Sequence, residues 1–386
     1  MNLFNYNNEW LEIREGIRKV CSKYPDSYWR ELDKDREYPA KFVKEITDTG
    51  YLSVLIPKKY GGANLPLKAA AIILEEIHRS GGNGAACHAQ MYIMGSLLKY
   101  GSDKLKSKFL PKISQGSLRL QAFGVTEPTS GTDTLSIKTT AIKNNNKYLI
   151  NGQKVWTSRA EHSDLILLLA RTSKNKEKPR NNLSLFLIDM RPYLNKQIKI
   201  RPIRTMVNHS STEVFFDNLE VEEDCLIGET GKGFNYILDG MNAERILIAA
   251  ECIGDSKYFI ERATKYANER EVFGRPIGKN QAIQFPISNA YAKLRAAELM
   301  VTEACKLYDL ERKCGEEANL SKLLAAEASW SAAEAAMQTF GGFAFSEEYD
   351  VERKFRETRL YQIAPISTNM ILTYISHKVL GMPRSY

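Results

Sequence analysis

The apolar residues of this chain change period twice along its length, and that change fixes a layered fold. Over roughly the first 118 residues they recur at helical spacing. Trp10, Ile13, Ile17 and Val20 share one face, Phe42, Ile46 and Leu52 follow the same period, and Ala69 to Ile77 is a strong helix former halted by Gly81 and Gly82. Pro57, Gly61, Gly62 and Pro66 separate these helices. From about Leu118 the texture is strand-like. Lys138 to Ile142 alternates, Asn144 to Asn146 reads as a turn, and Leu165 to Arg171, Leu183 to Met190 and Thr212 to Val221 are rich in strand-forming residues. Asn151-Gly152, between Lys147 to Ile150 and Gln153 to Ser158, predicts a hairpin turn. Past Gly231-Lys232-Gly233 the helical period returns. Phe234, Ile237, Leu238 and Met241 open a segment running to about Asn268, and Ala282 to Lys313, Leu320 to Phe340 and Met370 to Leu380 read as further helices. The expectation is an α+β fold: a helical domain over 1–118, a β-barrel or sandwich over 119–228, and a helical bundle over 229–386.

Composition narrows the class. The 386 residues are 43% hydrophobic and 26% charged, which allows a sizeable core and argues against disorder. No apolar run approaches the roughly 18–20 residues of a membrane span. The first nine residues lack the basic and apolar regions of a secretion signal, and Pro383 to Tyr386 is not a peroxisomal or ER-retention signal. A soluble intracellular protein is expected, with no membrane partner. Six cysteines without a CxxC pair read as free, mostly buried thiols in a reducing compartment, and five histidines without HxxxH or HxH spacing argue against a metal site. The net charge of +8 is spread among acidic residues with no basic block, so a phosphate-bearing small molecule or plain solubility explains it without nucleic acid.

Some motifs fail on inspection. Gly228 to Gly233 lacks the first glycine of a P-loop and has Gly233 where Ser or Thr would bind magnesium. No GxGxxG follows a strand, so a nicotinamide Rossmann site is unsupported. Three other segments carry more. Phe123 to Asp133, containing Thr126-Glu127-Pro128, is a polar, Pro/Gly-bent loop whose hydroxyls and amides suit a phosphate or a heterocycle edge, or a capped turn. Asn268 to Pro276, with Gln281 beyond it, ends one helix and starts the next; Arg270 there suits a pyrophosphate or is a solvated charge. Gln338 to Gly342 is a helix stop whose amides are able to approach a ligand.

In this order, together with Ile56 to Gly62 and with Lys154-Val155-Trp156-Thr157-Ser158, these segments resemble the acyl-CoA dehydrogenase family of flavoproteins over nearly the whole chain. The resemblance implies FAD as cofactor, an acyl-CoA substrate, an electron-transfer flavoprotein as acceptor and a homotetramer or homodimer. It implies that Phe123, Val125, Thr126 and Thr132, with Trp156, Thr157 and Ser158, line the flavin, Thr126 and Ser158 bonding its ring edge. It further implies that Arg270, Phe273, Gln281, Gln338, Gly341 and Gly342 hold FAD across a subunit boundary, with Ser367 and Asn369 touching it again. Thr132, Asn242 and Arg245 match positions that contact the acyl-CoA, and Gly82 to Tyr92 matches a stretch that shapes the acyl pocket. His88 in that stretch is either a core histidine or the mark of a polar or branched acyl group.

The family's catalytic base is a carboxylate in one of two places. Most members place it near the C-terminus, where this sequence reads Ala364-Pro365-Ile366-Ser367 and has none. A subgroup resembling isovaleryl- and long-chain acyl-CoA dehydrogenases places it on a helix before an arginine, and Glu244-Arg245 fits. Glu244 is therefore the candidate base; a carboxylate enclosed in an apolar pocket gains basicity as its pKa rises. A surface turn of an amphipathic helix is the plain alternative for Asn242 and Glu244. Pro365 raises a second point. The family's main-chain N–H there donates to the thioester oxygen, and proline has none. The resemblance implies a second donor, the flavin ribityl hydroxyl, and the expected supplements to it are the Ile366 amide, a water or a shifted backbone.

Rival readings are an enoyl-CoA reductase running the same chemistry backwards, a nitroalkane-oxidase-like or monooxygenase flavoprotein motivated by the altered 364–366 loop, and a non-catalytic binder. The resemblance implies fatty acid metabolism, in the cytoplasm of a bacterium or the mitochondrial matrix of a eukaryote.

Overall fold

A computed structural model describes Phe4 and residues 10–384. Most of the N-terminal segment read for a secretion signal, and Ser385 and Tyr386 at the other end, lie outside the described residues. The chain begins with α1 (Leu11–Cys21), α2 (Asp26–Asp35), α3 (Ala40–Asp48), α4 (Leu67–Arg79), α5 (Ala85–Tyr100) and α6 (Asp103–Ser114). Strands follow: β1 (Leu120–Gly124), β2 (Thr140–Asn144), β3 (Lys147–Ser158), β4 (Leu165–Arg171), β5 (Leu183–Asp189), β6 (Ile198–Pro202), β7 (Ser211–Glu222) and β8 (Leu226–Ile227). The rest is α7 (Gly233–Glu269), a small hairpin of β9 (Glu271–Val272) and β10 (Arg275–Pro276), α8 (Gln281–Asp309), α9 (Gly315–Phe340), α10 (Val351–Arg359) and α11 (Thr368–Tyr374), which continues into a π turn, Ile375–Val379. The expected α+β order of helices, sheet and helices is what the chain adopts. Two compact units result, one of Tyr38–Leu65 with Ala85–Met241, the other of Met1–Glu37, Pro66–Gly84 and Asn242–Tyr386.

The first unit is built on a sheet of order β6-β7-β3-β2-β4-β5-β8, with β1 pairing parallel to β4 beside it. The strands β4 and β5 are nearly unbroken apolar runs because both of their faces are buried. Leu165, Leu167 and Leu169 pack with Ile93, Leu97 and Leu110 of the helices, whereas Ile166, Leu168 and Ala170 pack with Phe186, Ile188 and Val214 on the opposite face. Alternation at period two sorts one strand between two cores.

The expected Asn151-Gly152 hairpin is not formed. β3 runs straight through both residues, and the turn lies at Asn144–Lys147, where Asn145 takes φ 53°. Gly152 is needed for another reason. A Cβ there would stand 2.5 Å from Thr139 Oγ1 and 2.6 Å from Thr139 Cα, and the β3–β7 register shifts between Ile150 and Gly152. The glycine marks a bulge and a close strand approach, not a reversal.

In the second unit α4 is buried from Ala69 to His78 without a break, and α9 buries a row of alanines, Ala325, Ala328, Ala332 and Ala336, that permits close helix packing. Helix ends differ from expectation: α8 stops at Asp309, α9 starts five residues earlier than read, at Gly315, and α11 starts at Thr368. Glu316 and Glu317 in the first turn of α9 favour that start through the helix dipole, and Ser367 caps α11 by accepting from the Met370 N–H. All six cysteines are free thiols, five of them buried. Among the described residues no helix is long and apolar enough to cross a membrane, and no His/Cys/Asp/Glu group is arranged to hold a metal ion.

Candidate active site

Within the sheet-containing unit, the structure joins the two motif segments that sequence reading kept apart. The Val155 N–H donates to the Thr126 carbonyl at 2.9 Å. Beneath them the Lys154 Nζ donates to the Val125 carbonyl at 3.0 Å and to Glu127 Oε1 at 2.8 Å. The Glu127 carboxylate also accepts from the Lys138 and Thr139 amides. Burial raises its pKa, but Lys154 and the amide donors outweigh burial and hold it below the usual carboxylate range. Burial pulls Lys154 down to about 8, against the opposing effect of Glu127. The 123–128 loop is thereby fastened to β3.

The register of β3 against β7 shifts between Lys154 and Thr157, and Trp156 takes φ 59°, so the bulge turns its indole outward to 57% exposure. Thr157 is buried and its Oγ1 has no partner among the described residues; Ser158 is half-buried. Phe123, Val125 and Thr126 are half-buried, and Thr132 is exposed farther along the same loop. Arg159, next after Ser158, is buried, with Nη2 3.1 Å from His209 Nδ1. Burial, followed by Arg159 and His88, holds the His209 imidazole well below its usual pKa. His88 is buried with its ring 6.5 Å from that of His209.

In the helical unit, Glu244 lies on α7 with 6% of its surface exposed, which removes the surface-turn alternative. Arg245 is also buried; its Nη1 donates to Asn242 Oδ1 at 2.9 Å and its Nε has no partner among the described residues. Burial depresses its pKa against the countering charge of Glu244.

The α7–α8 connection is more ordered than the sequence indicated. β9 and β10 form a two-residue hairpin whose central residues, Phe273 and Gly274, both have positive φ, and the Phe273 ring at its tip is 99% exposed. Below the hairpin, Arg270, Thr339 and Gly342 line one surface cleft with Tyr266, Phe340 and Phe343. The Arg270 guanidinium carbon is 5.8 Å from the Phe343 ring centre. Gln338 is exposed one turn back on α9, Gln281 opens α8, and neither lines the cleft. Nothing within 4 Å would meet a Cβ at Gly341 or Gly342, so both backbones are open to approach.

The Ala364–Pro365 bond is cis. The Ile366 carbonyl accepts from the Nζ of Lys322, a fully buried residue of α9, at 2.8 Å. Ser367 caps α11 and Asn369 is exposed in its first turn.

Family models cover the chain in three consecutive pieces, the acyl-CoA dehydrogenase N-terminal domain over residues 7–117, the middle domain over 122–219 and the C-terminal domain over 231–380. The chain belongs to the acyl-CoA dehydrogenase family. It is 33% identical to an acyl-CoA dehydrogenase of Bacillus subtilis (strain 168), covering 97% of this chain and 98% of that one. It is 32% identical to a 3-(aryl)acrylate reductase of Clostridium sporogenes (strain ATCC 15579), over 92% and 95%. Among solved structures, a glutaryl-coenzyme A dehydrogenase in complex with glutaryl-CoA matches at 30% identity and a TM-score of 0.90, over 99% of this chain and 98% of that one.

The protein is accordingly an oxidoreductase of the acyl-CoA dehydrogenase family, whose cofactor is FAD. Its residues suit that group. The outward Trp156 indole offers an aromatic face, Thr157 holds a buried hydroxyl with no partner among the described residues, and the Arg270 cleft sets a cation beside the open Gly341–Gly342 backbone. Sequence reading quoted Glu127 and Lys154 without a role and missed Arg159, His209 and Lys322. A lysine inside a strand motif, and another on an alanine-rich helix, were the available signals.

Proposed function

We propose that the enzyme oxidises an acyl-CoA thioester to the trans-2-enoyl-CoA and passes the electrons to an electron-transfer flavoprotein. The observation that carries this reading is the burial of Glu244 in a chain with no carboxylate at 364–366. Glu244 takes the α-proton of the acyl chain onto its carboxylate. Bound FAD supplies the acceptor for the hydride leaving the β-carbon.

Phe123, Val125, Thr126, Trp156, Thr157 and Ser158 hold the flavin ring, with the Lys154–Glu127 pair fixing the loop that carries Thr126. Thr132, Asn242 and Arg245 contact the acyl-CoA. The Arg270 cleft, with Phe273, Gln281, Gln338, Gly341 and Gly342, takes the FAD of a neighbouring subunit, and Ser367 and Asn369 also contact FAD. A homo-oligomer, dimer or tetramer, is thus part of the reading. Exposed Phe285, Tyr291 and Leu299 on α8 support it, because an apolar helix surface of this kind is seldom left to solvent.

Anaerobic titration of the purified flavoprotein with acyl-CoAs of different chain length and branching tests the reading. Bleaching of the flavin by at least one of them is the expected outcome; bleaching by none rejects it. The reductase relative favours a second reading, the reverse reaction. Reoxidation of the reduced enzyme by enoyl-CoAs faster than by electron-transfer flavoprotein supports that direction.

A further inference from the structure

A carbanion formed beside a thioester delocalises onto the carbonyl oxygen, so α-proton removal needs a donor at that oxygen. The 363–366 backbone offers few. The Ile363 and Ala364 amides both donate to the Leu360 carbonyl, at 2.9 Å, and Pro365 has no N–H. Ile366 is half-buried, and its N–H makes no hydrogen bond among the described residues. It is the one uncommitted amide in these four residues.

The same residue is clamped on its other side. Lys322 is 0% exposed, and the only hydrogen bond of its ammonium among the described residues goes to the Ile366 carbonyl, at 2.8 Å. It forms no ion pair there with any carboxylate. Its electrostatic neighbours are Arg245 and Cys252 on α7, which ties this lysine to the helix turn bearing Glu244. A buried cation without an anionic partner lowers stability. Burial and then Arg245 hold the ammonium down to about 8, against Cys252, so the residue strains toward losing its charge. A position that burdens the fold in this way and bonds one loop carbonyl is a candidate for function.

We infer that Lys322 is a positioning residue that fixes the Pro365–Ile366–Ser367 backbone so that the Ile366 amide serves as donor to the thioester oxygen. The inference rests on the dehydrogenation reading above. No covalent step is added: the α-proton still goes to Glu244, and the Ile366 N–H stabilises the charge that proton removal leaves on oxygen.

The test uses the holoenzyme and its Lys322→Met and Ile366→Pro variants. Each is loaded with carbonyl-13C-labelled trans-2-enoyl-CoA, matched to the acyl-CoA that bleaches the wild-type flavin fastest. In the wild type the bound carbonyl stretch moves to lower frequency than in free ligand. In Lys322→Met the expected results are full FAD content, a melting temperature at or above wild type, a smaller carbonyl shift and flavin reduction slowed about 10- to 100-fold. Ile366→Pro, retaining FAD, loses most of the shift. A wild-type shift and reduction rate in Lys322→Met overturns the inference, and so does a Lys322→Met protein that fails to fold or to retain FAD, because the lysine would then be a folding residue. If no acyl-CoA bleaches the wild type, the dehydrogenation reading has failed; if the wild type bleaches and Lys322→Met matches it, the inference alone has failed.

Discussion

Lys154 Nζ lies 2.8 Å from Glu127 Oε1 in the interior of the sheet-containing unit, joining a loop after β1 to the middle of β3. Both side chains are buried, so each is tolerated because the other is present. Removing one partner leaves the other as an uncompensated charge, at a cost of about 3–5 kcal/mol. Lys154→Met is therefore expected to lower the melting temperature and to release FAD on dialysis, read from the flavin absorbance retained. A variant with wild-type stability and full flavin would show that the pair does not fix the loop.

The pair also sets an acid limb. The folded pKa of Glu127 lies below its unfolded value, so its contribution to stability is complete above the unfolded value and is lost as pH falls through the folded one. Glu127→Gln removes that contribution at neutral pH. Melting temperatures of wild type and Glu127→Gln should differ most near pH 7 and converge below the usual carboxylate range.

Lys322 has the opposite sign. Its folded value, about 8, lies below the ordinary 10.5, so the unfolded chain binds the extra proton between these values and stability rises as pH climbs through them. At pH 7 the charge costs on the order of 3 kcal/mol, partly offset by about 1 kcal/mol from the bond to Ile366. Lys322→Met should melt a few degrees higher than wild type at pH 7, and the gap should close toward pH 10. A lower melting temperature at pH 7 contradicts this balance.

Gly152 tests the strand approach. An added methyl would meet Thr139 at 2.5 Å, on a backbone with φ 150°. Gly152→Ala is expected to destabilise the protein by about 2–3 kcal/mol in urea unfolding, and Thr139→Gly in the same chain should recover part of the loss. An unchanged midpoint would mean that the strands separate there easily.

Much of the architecture was legible because period follows burial. The alternation of Leu165 to Ala170 serves two cores, and the helical spacing of Ile13, Ile17 and Val20 follows one buried face. The Asn151-Gly152 reading failed because the same dipeptide suits a tight turn and a bulge, and the deciding contact, Thr139, is twelve residues from Asn151, just before β2. The helix read from Leu320 begins at Gly315, where two glutamates in the first turn favour the helix N-terminus. The site motifs were legible as segments. Their joining by Val155 and Thr126, and the lysine behind Ile366, depend on tertiary packing between positions too far apart for local pattern to connect.

The most direct measurement is rapid-reaction anaerobic mixing of wild type and Glu244→Gln with the acyl-CoA that bleaches the wild-type flavin best. With Glu244 as base, the Gln variant keeps FAD and binds the thioester, while its flavin reduction slows by at least about 1,000-fold. Reduction of the Glu244→Gln flavin at the wild-type rate would contradict the assignment and the dehydrogenation account built on it.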